Sequence, residues 1–144
     1  MSGTDIMRNA IGLDGFAFVE FTGPDTAAMA GQLEAMGFTA VARHPDRALT
    51  LFRQGGVDFV LNDAGSAQAE RFAAQHGPSA NGMGFRVADA ARAYDLALEH
   101  GAVAADGDAS AFSGVPVLQG IGGSCLYLID SNPFAGWTKL NDAG

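Results

Sequence analysis

Three histidines, one cysteine and a few polar residues on apolar strands are what this sequence offers for chemistry. His44 stands beside Pro45 in a turn. His76 closes a helical stretch before Gly77-Pro78, and His100 ends another helix, where the dipole favours a cation. No HxH or HxxxH spacing occurs, so no two imidazoles are placed on one strand or one helix face to share a metal. A rebuilt metal site would have to draw on Glu20 or His76. Glu99-His100 reads as a solvated pair at a helix end, and no Ser-His-Asp set can be assembled. Cys125 lies in the apolar run Cys-Leu-Tyr-Leu-Ile and reads as a buried strand residue. A single cysteine allows neither an intrachain disulfide nor a CxxC metal site. The run Gly120-Ile121-Gly122-Gly123 could approach a phosphate, but a phosphate loop needs a helix N-terminus after it. A strand follows here, so the run reads as a hairpin turn.

Arg86 has the parity of Gly82 and Gly84 on one strand. If those glycines face a cavity, so does its guanidinium, whose fork could hold a carboxylate; the alternative is an ion pair at the sheet edge. Asn62 and Arg53 are ligand-binding candidates on the same argument, with plain surface-strand positions as the alternative. No catalytic residue can be named.

The elements that must position these residues come in two copies. Residues 15–37, GFAFVEFTGPDTAAMAGQLEAMG, and 82–101, GMGFRVADAARAYDLALEHG, each run from glycine through a short apolar strand, a polar turn and a helix ending at glycine. Aligned on Gly37 and Gly101, the helices place Met29, Ala30 and Leu33 on Ala93, Tyr94 and Ala97, a stripe that one helical face can bury. Aligned on the strand starts, Gly15 falls on Gly82. Gly15, Ala17 and Val19 then form a small face, opposite a bulky one of Phe16, Phe18 and Glu20. With Gly82 and Gly84, the small residues Gly15 and Ala17 would leave room for a ligand or for another sheet to pack. Each copy continues with extended segments: 39–43, 48–54 and 57–62 in the first, with a tight hairpin at Gly55-Gly56, and 102–105, 116–119 and 125–129 in the second. A polar helix at 66–76 joins them.

This predicts an α+β chain of two βαβββ modules with cupped mixed sheets, helices on one face and the other face free to enclose something. Residues 1–12 read as an arm and 13–144 as one domain, with module one at 13–63, the linker helix at 66–76 and module two at 82–140. The net charge of −8, with only eight Lys and Arg, excludes nucleic acid and anionic membrane as partners. The polar N-terminal stretch lacks an apolar signal core, and no window approaches 18 apolar residues, so a cytoplasmic protein is expected. A small-molecule ligand and a homodimer are the expected partners, since cupped sheets expose apolar edges that pairing would cover.

The duplication resembles the vicinal-oxygen-chelate superfamily (the glyoxalase/bleomycin resistance/dioxygenase fold), and within it the N-terminal domain of the 4-hydroxyphenylpyruvate dioxygenases. The residues that carry the likeness include Met36-Gly37-Phe38-Thr39, Leu51-Phe52-Arg53-Gln54-Gly55, His76-Gly77-Pro78-Ser79, Gly82-Met83-Gly84-Phe85-Arg86-Val87, and Gly120-Ile121-Gly122-Gly123 leading to Leu126-Tyr127-Leu128-Ile129-Asp130. The resemblance implies that a catalytic member would place His on the first strand of each module and a carboxylate on a closing strand. Here those positions fall on Gly15 and Gly82, and near Asn62 and Thr138 or Lys139, none of which supplies the expected ligand. It further implies that iron is held by a separate C-terminal domain, so this chain corresponds to the metal-free half. The expected function is therefore a metal-free module that binds a small molecule or serves as a scaffold and dimerisation unit, with no cofactor. The alternative is an Fe(II)-dependent dioxygenase acting on an aromatic 2-oxo acid, alone or with a partner chain.

Overall fold

The computed structural model describes residues 12–107, 110–112 and 114–140. The expected arm therefore lies outside the described residues, apart from Gly12. The first module is β1 (Leu13–Thr22), α1 (Thr26–Ala35), β2 (Thr39–Arg43), β3 (Leu49–Gln54) and β4 (Val57–Asn62). Helix α2 (Ala67–His76) follows, then β5 (Ser79–Val87), α3 (Ala90–Glu99), β6 (Val117–Gln119), β7 (Cys125–Ile129) and β8 (Thr138–Lys139). The class is α+β, as expected.

The strands form one eight-stranded sheet in the order β6-β7-β5-β1-β4-β3-β2-β8. Within each half the first strand runs parallel to the last long one, β1 beside β4 and β5 beside β7. The halves meet where β1 and β5 pair antiparallel. The apolar stripes of the two helices bury as their periodicity requires. Met29, Ala30 and Leu33 pack with Phe21, Phe38, Phe52, Phe59 and Leu61. Ala93, Tyr94 and Ala97 pack with Val87, Leu118 and Leu128. The opposite face of the sheet carries the main core, in which Phe18, Leu49, Leu51, Val60, Tyr127 and Ile129 meet Phe112 from a loop.

The helices start alike. The carboxylates of Asp25 and Asp89 accept hydrogen bonds from the amides of Ala28 and Arg92, both at 3.1 Å. The Asp130 carboxylate adds a second cap on α3, accepting from the Ala90 amide at 2.7 Å. Replacing Asp89 by Ala is expected to cost about 1 kcal/mol, the usual worth of an N-cap. Urea denaturation of D89A should show it as a lowered midpoint with an unchanged slope.

Three expectations about the strands are corrected. First, the strand at 102–105 is reduced to an isolated bridge between Ala104 and Leu118. Two flanking backbone bonds survive, Ala105 N to Val117 O at 3.0 Å and Gln119 N to Val103 O at 2.8 Å, but the partner β6 has only three residues and Val103 is exposed, so little holds a longer ladder. Second, Thr138 and Lys139 do not close module two. They pair with Arg43 and Ala42 of β2, at the far edge of module one. Third, the alignment of Gly15 on Gly82 fails. The caps Asp25 and Asp89, like Gly37 and Gly101, are 64 residues apart, an even offset that sets Phe18 on Gly82 and Glu20 on Gly84.

A β-bulge is the physical reason for the third correction. Phe16 pairs with Phe85 and Phe18 with Gly84, so two steps on β1 match one on β5. Phe16 and Phe18 therefore point to opposite faces, and the extra residue, Ala17, comes to the rim of the core. The bulky residues Phe18 and Glu20 face the cup, and of the expected small face of β1 only Ala17 reaches it, at the rim. Among the described residues no helix is long and apolar enough to cross a membrane.

Candidate functional site

The face opposite α1 and α3 holds two polar arrangements, one buried and one open. The buried one centres on Glu20, which is fully enclosed between β5 and β4. The Tyr127 hydroxyl donates to Glu20 Oε1 at 2.7 Å. The side-chain amides of Asn62 and Asn81 both donate to Oε2, each at 2.7 Å. Asn81 Nδ2 also donates to Gln68 Oε1 at 2.8 Å, and Gln68 Nε2 donates to the carbonyls of Asn81 and Gly123 at 3.1 and 2.8 Å. The network thus ties α2 to β1, β5, β4, β7 and the glycine turn. Among the described residues Asn81 Oδ1 has no hydrogen-bond partner. The amide cannot turn over to correct this, because its nitrogen already serves two acceptors.

Burial pushes the Glu20 carboxyl above its ordinary value, against the opposing pull of the donors from Asn62, Tyr127 and Asn81. The Tyr127 hydroxyl is also raised, by burial first and then by the charge of Glu20. Cys125, beside them, is pushed up to about 11, chiefly by burial and next by Glu20, and stays a thiol. It is a buried strand residue, as its apolar run predicts.

This arrangement does not fit a metal. Both oxygens of Glu20 already accept from hydrogen-bond donors, which occupy the lone pairs a cation would need. A Cβ on Gly82 would lie 2.8 Å from Glu20 Oε1 and 2.9 Å from Tyr127 Cε2, which leaves no room for an imidazole there. Phe18 occupies the equivalent place in the first module. Ile129, the last residue of β7, stands where Asn62 ends β4, and it is apolar. Among the described residues no three of His, Cys, Asp and Glu converge. His76 does not join Glu20: its Nε2 contacts the Gly122 carbonyl at 3.0 Å and its ring packs on Phe72 at 4.4 Å between centroids. His44 is a turn residue whose Nδ1 accepts from the amides of Asp46 and Arg47, both at 3.0 Å. Burial, and then the charge of Arg47, hold it below the usual histidine range.

The structure separates the three ligand-binding candidates. Asn62 is fully buried: besides its bond to Glu20, its Oδ1 accepts from the Gly65 amide at 2.6 Å and its carbonyl from the Thr22 hydroxyl at 2.8 Å. It lines no open cavity. Arg53 and Arg86 come together instead, from β3 and β5, at the walls of one cavity of about 280 Å³ at the mouth of the cup. Arg53 is engaged there, its Nε and Nη2 donating to Asp58 at 2.7 and 3.1 Å, which raises its pKa further. Arg86 is exposed, and among the described residues it has no hydrogen bond or ion pair. A neighbouring cavity of about 490 Å³ shares Arg53, Asn132 and Phe134 with the first and adds Trp137 and Lys139.

Tyr127, Asn81 and Gln68 were not singled out by the sequence. The available signal was Glu20 itself: a carboxylate on a strand face with two phenylalanines must either reach water or find donors on the adjacent strands.

Comparison with known proteins places these observations in context. The family model described as "Hydroxyphenylpyruvate dioxygenase, HPPD, N-terminal" matches residues 7–142. A 4-hydroxyphenylpyruvate dioxygenase of Legionella pneumophila is 46% identical over 130 residues, covering 89% of this chain and 37% of the relative. The 3-dehydroshikimate dehydratase of Pseudomonas aeruginosa is 32% identical over 120 residues, covering 81% of this chain and 19% of the relative. Among solved structures, a xylose isomerase-like TIM barrel/4-hydroxyphenylpyruvate dioxygenase fusion protein superposes with a TM-score of 0.79 at 27% identity, over 92% of this chain and 22% of its own. The chain thus spans little more than a third of the length of the curated dioxygenases it matches.

Proposed function

Because the chain belongs to the family of hydroxyphenylpyruvate dioxygenase N-terminal domains, we propose that it acts as a metal-free scaffold module of an enzyme of that kind. The observation that carries this reading is the filled cup. Where the fold could leave room for a metal, the ring of Phe18 lies over Gly84 and the carboxylate of Glu20 over Gly82, and Glu20 spends both oxygens on Tyr127, Asn62 and Asn81. Such a centre supplies rigidity and no open coordination position. Relatives named for two different reactions, a dioxygenase and a dehydratase, share this module, which supports a role common to both. Homodimerisation belongs to the same proposal. The neighbouring exposed apolar side chains Leu13 and Phe16 at the start of β1 support it, and sedimentation of the purified chain checks it.

The test is anaerobic loading with Fe(II), desalting and metal analysis. The scaffold reading expects iron well below one per chain and an unchanged melting temperature. Stoichiometric iron overturns it.

The second reading is dioxygenase activity towards an aromatic 2-oxo acid, with the metal held by a further polypeptide. It is favoured by the small share of the relatives that this chain covers. Exchanging the chain for the matching segment of the Legionella dioxygenase, and measuring oxygen uptake with 4-hydroxyphenylpyruvate, tests it. An active chimera supports a working module of such an enzyme, and a folded but inactive one counts against it.

A further inference from the structure

We propose that the mouth of the cup is a binding site for a small carboxylate with an apolar body, anchored by Arg86. This does not rest on the scaffold reading, because it concerns the open rim and not the buried centre.

The chain has eight Lys and Arg against sixteen Asp and Glu, yet three of those eight, Arg53, Arg86 and Lys139, line two adjoining cavities that share Arg53, Asn132 and Phe134. They come from β3, β5 and β8, three strands that only the folded sheet brings to one place. Their states differ. The fork of Arg53 is spent on Asp58 at 2.7 and 3.1 Å, and this pair builds one wall. Arg86, whose donors are unengaged among the described residues, projects from the same face as Gly82 and Gly84, so its planar fork is available for a bidentate acceptor.

The remaining lining decides which anion fits. Ala17, Ile129 and Phe134 give an apolar floor, with Trp137 beside it in the adjoining cavity. Asp58 and Asp130 also stand on the rim of the first cavity. Two acids there disfavour a doubly charged phosphate more than a singly charged carboxylate. At about 280 Å³ the cavity lies at the small end of ligand pockets, which limits the body to about one ring. Ser131 and Asn132, in the segment that follows β7, supply polar groups at the lip.

The test is a titration of the isotope-labelled full chain with benzoate, benzamide and acetate, followed by NMR. The expected result is that benzoate shifts the amides of Ser131, Asn132 and Phe134 and the Arg86 side chain together, in one saturable process. Benzamide, isosteric but uncharged, binds the wild-type chain at least about tenfold more weakly, because the charged fork no longer meets a carboxylate. Acetate is also weaker, having no body for the Phe134 floor. Arg86→Gln weakens benzoate about tenfold with an unchanged melting temperature, since the side chain is exposed and, among the described residues, unpaired. Equal binding of benzamide and benzoate, or shifts scattered away from the cup, overturns the proposal without any variant. Full benzoate affinity in R86Q overturns it as well.

Discussion

Replacing Glu20 by Ala is expected to be among the most damaging single changes in this chain, lowering unfolding free energy by about 3 kcal/mol. The change strips the acceptor from the Tyr127 hydroxyl and from the amides of Asn62 and Asn81, all buried. Each orphaned donor costs about 1–3 kcal/mol. Relief from burying a carboxylate, and water entering the space, return part of that sum. Glu20→Gln keeps the shape and one acceptor oxygen and should lose much less.

The two forms should also diverge with pH, and the sign follows from the raised carboxyl. Its ordinary value is 4.5, and burial places the folded-state value above that. The folded chain therefore binds this proton more tightly than the unfolded chain. The resulting stabilisation is fully present below 4.5 and is lost as pH rises through the folded-state value. Urea midpoints of the wild type should fall with pH over that window relative to those of Glu20→Gln. Parallel curves would mean that the three donors cancel the effect of burial and that Glu20 ionises as an ordinary acid.

The second large effect concerns Gly84. A Cβ there would lie 2.5 Å from Phe18 Cε2 and 2.7 Å from Cδ2, so Gly84→Ala must displace the ring. That ring is held by Phe112, Tyr127 and Phe134, at centroid distances of 4.9, 5.6 and 5.7 Å, and cannot simply swing away. Overpacking of this kind costs about 1–3 kcal/mol. In a Phe18→Leu background the same alanine should cost about 1 kcal/mol less, a coupling that a double-mutant cycle resolves. Strict additivity of the two substitutions would show that the ring and the glycine do not share the space as the structure places them.

The helical half of the fold was legible from spacing. Leu33 and Ala97 sit on stripes that can bury only one way, and Asp25, Asp89, Gly37 and Gly101 mark where the helices begin and end. Gly55-Gly56 joins β3 to β4 as a hairpin signal should. The strands were harder, because alternation fixes faces only until something slips. One bulge beside Ala17 put Phe16 and Phe18 on opposite faces, and changed with them the meaning of Gly82 and Gly84. Glycines that read as room for a ligand are places where the chain's own side chains approach closely.

The candidate residues divide for the same reason. Arg53 and Arg86 kept their expected face because no irregularity interrupts the register of β3 with β4 or of β5 with β7. Asn62 was drawn inward, because a buried carboxylate on the adjacent strand β1 needed its amide. What the sequence by itself determined was the duplicated plan, the helix faces and the family resemblance, all carried by residue type and local period. Only the tertiary structure decided that the cup is filled, that Glu20 is enclosed by Tyr127, Asn62 and Asn81, and that Arg86 stands at its mouth without a partner among the described residues. Those facts depend on which strands become neighbours and in what register, and a single residue of slip reverses every side chain on a strand.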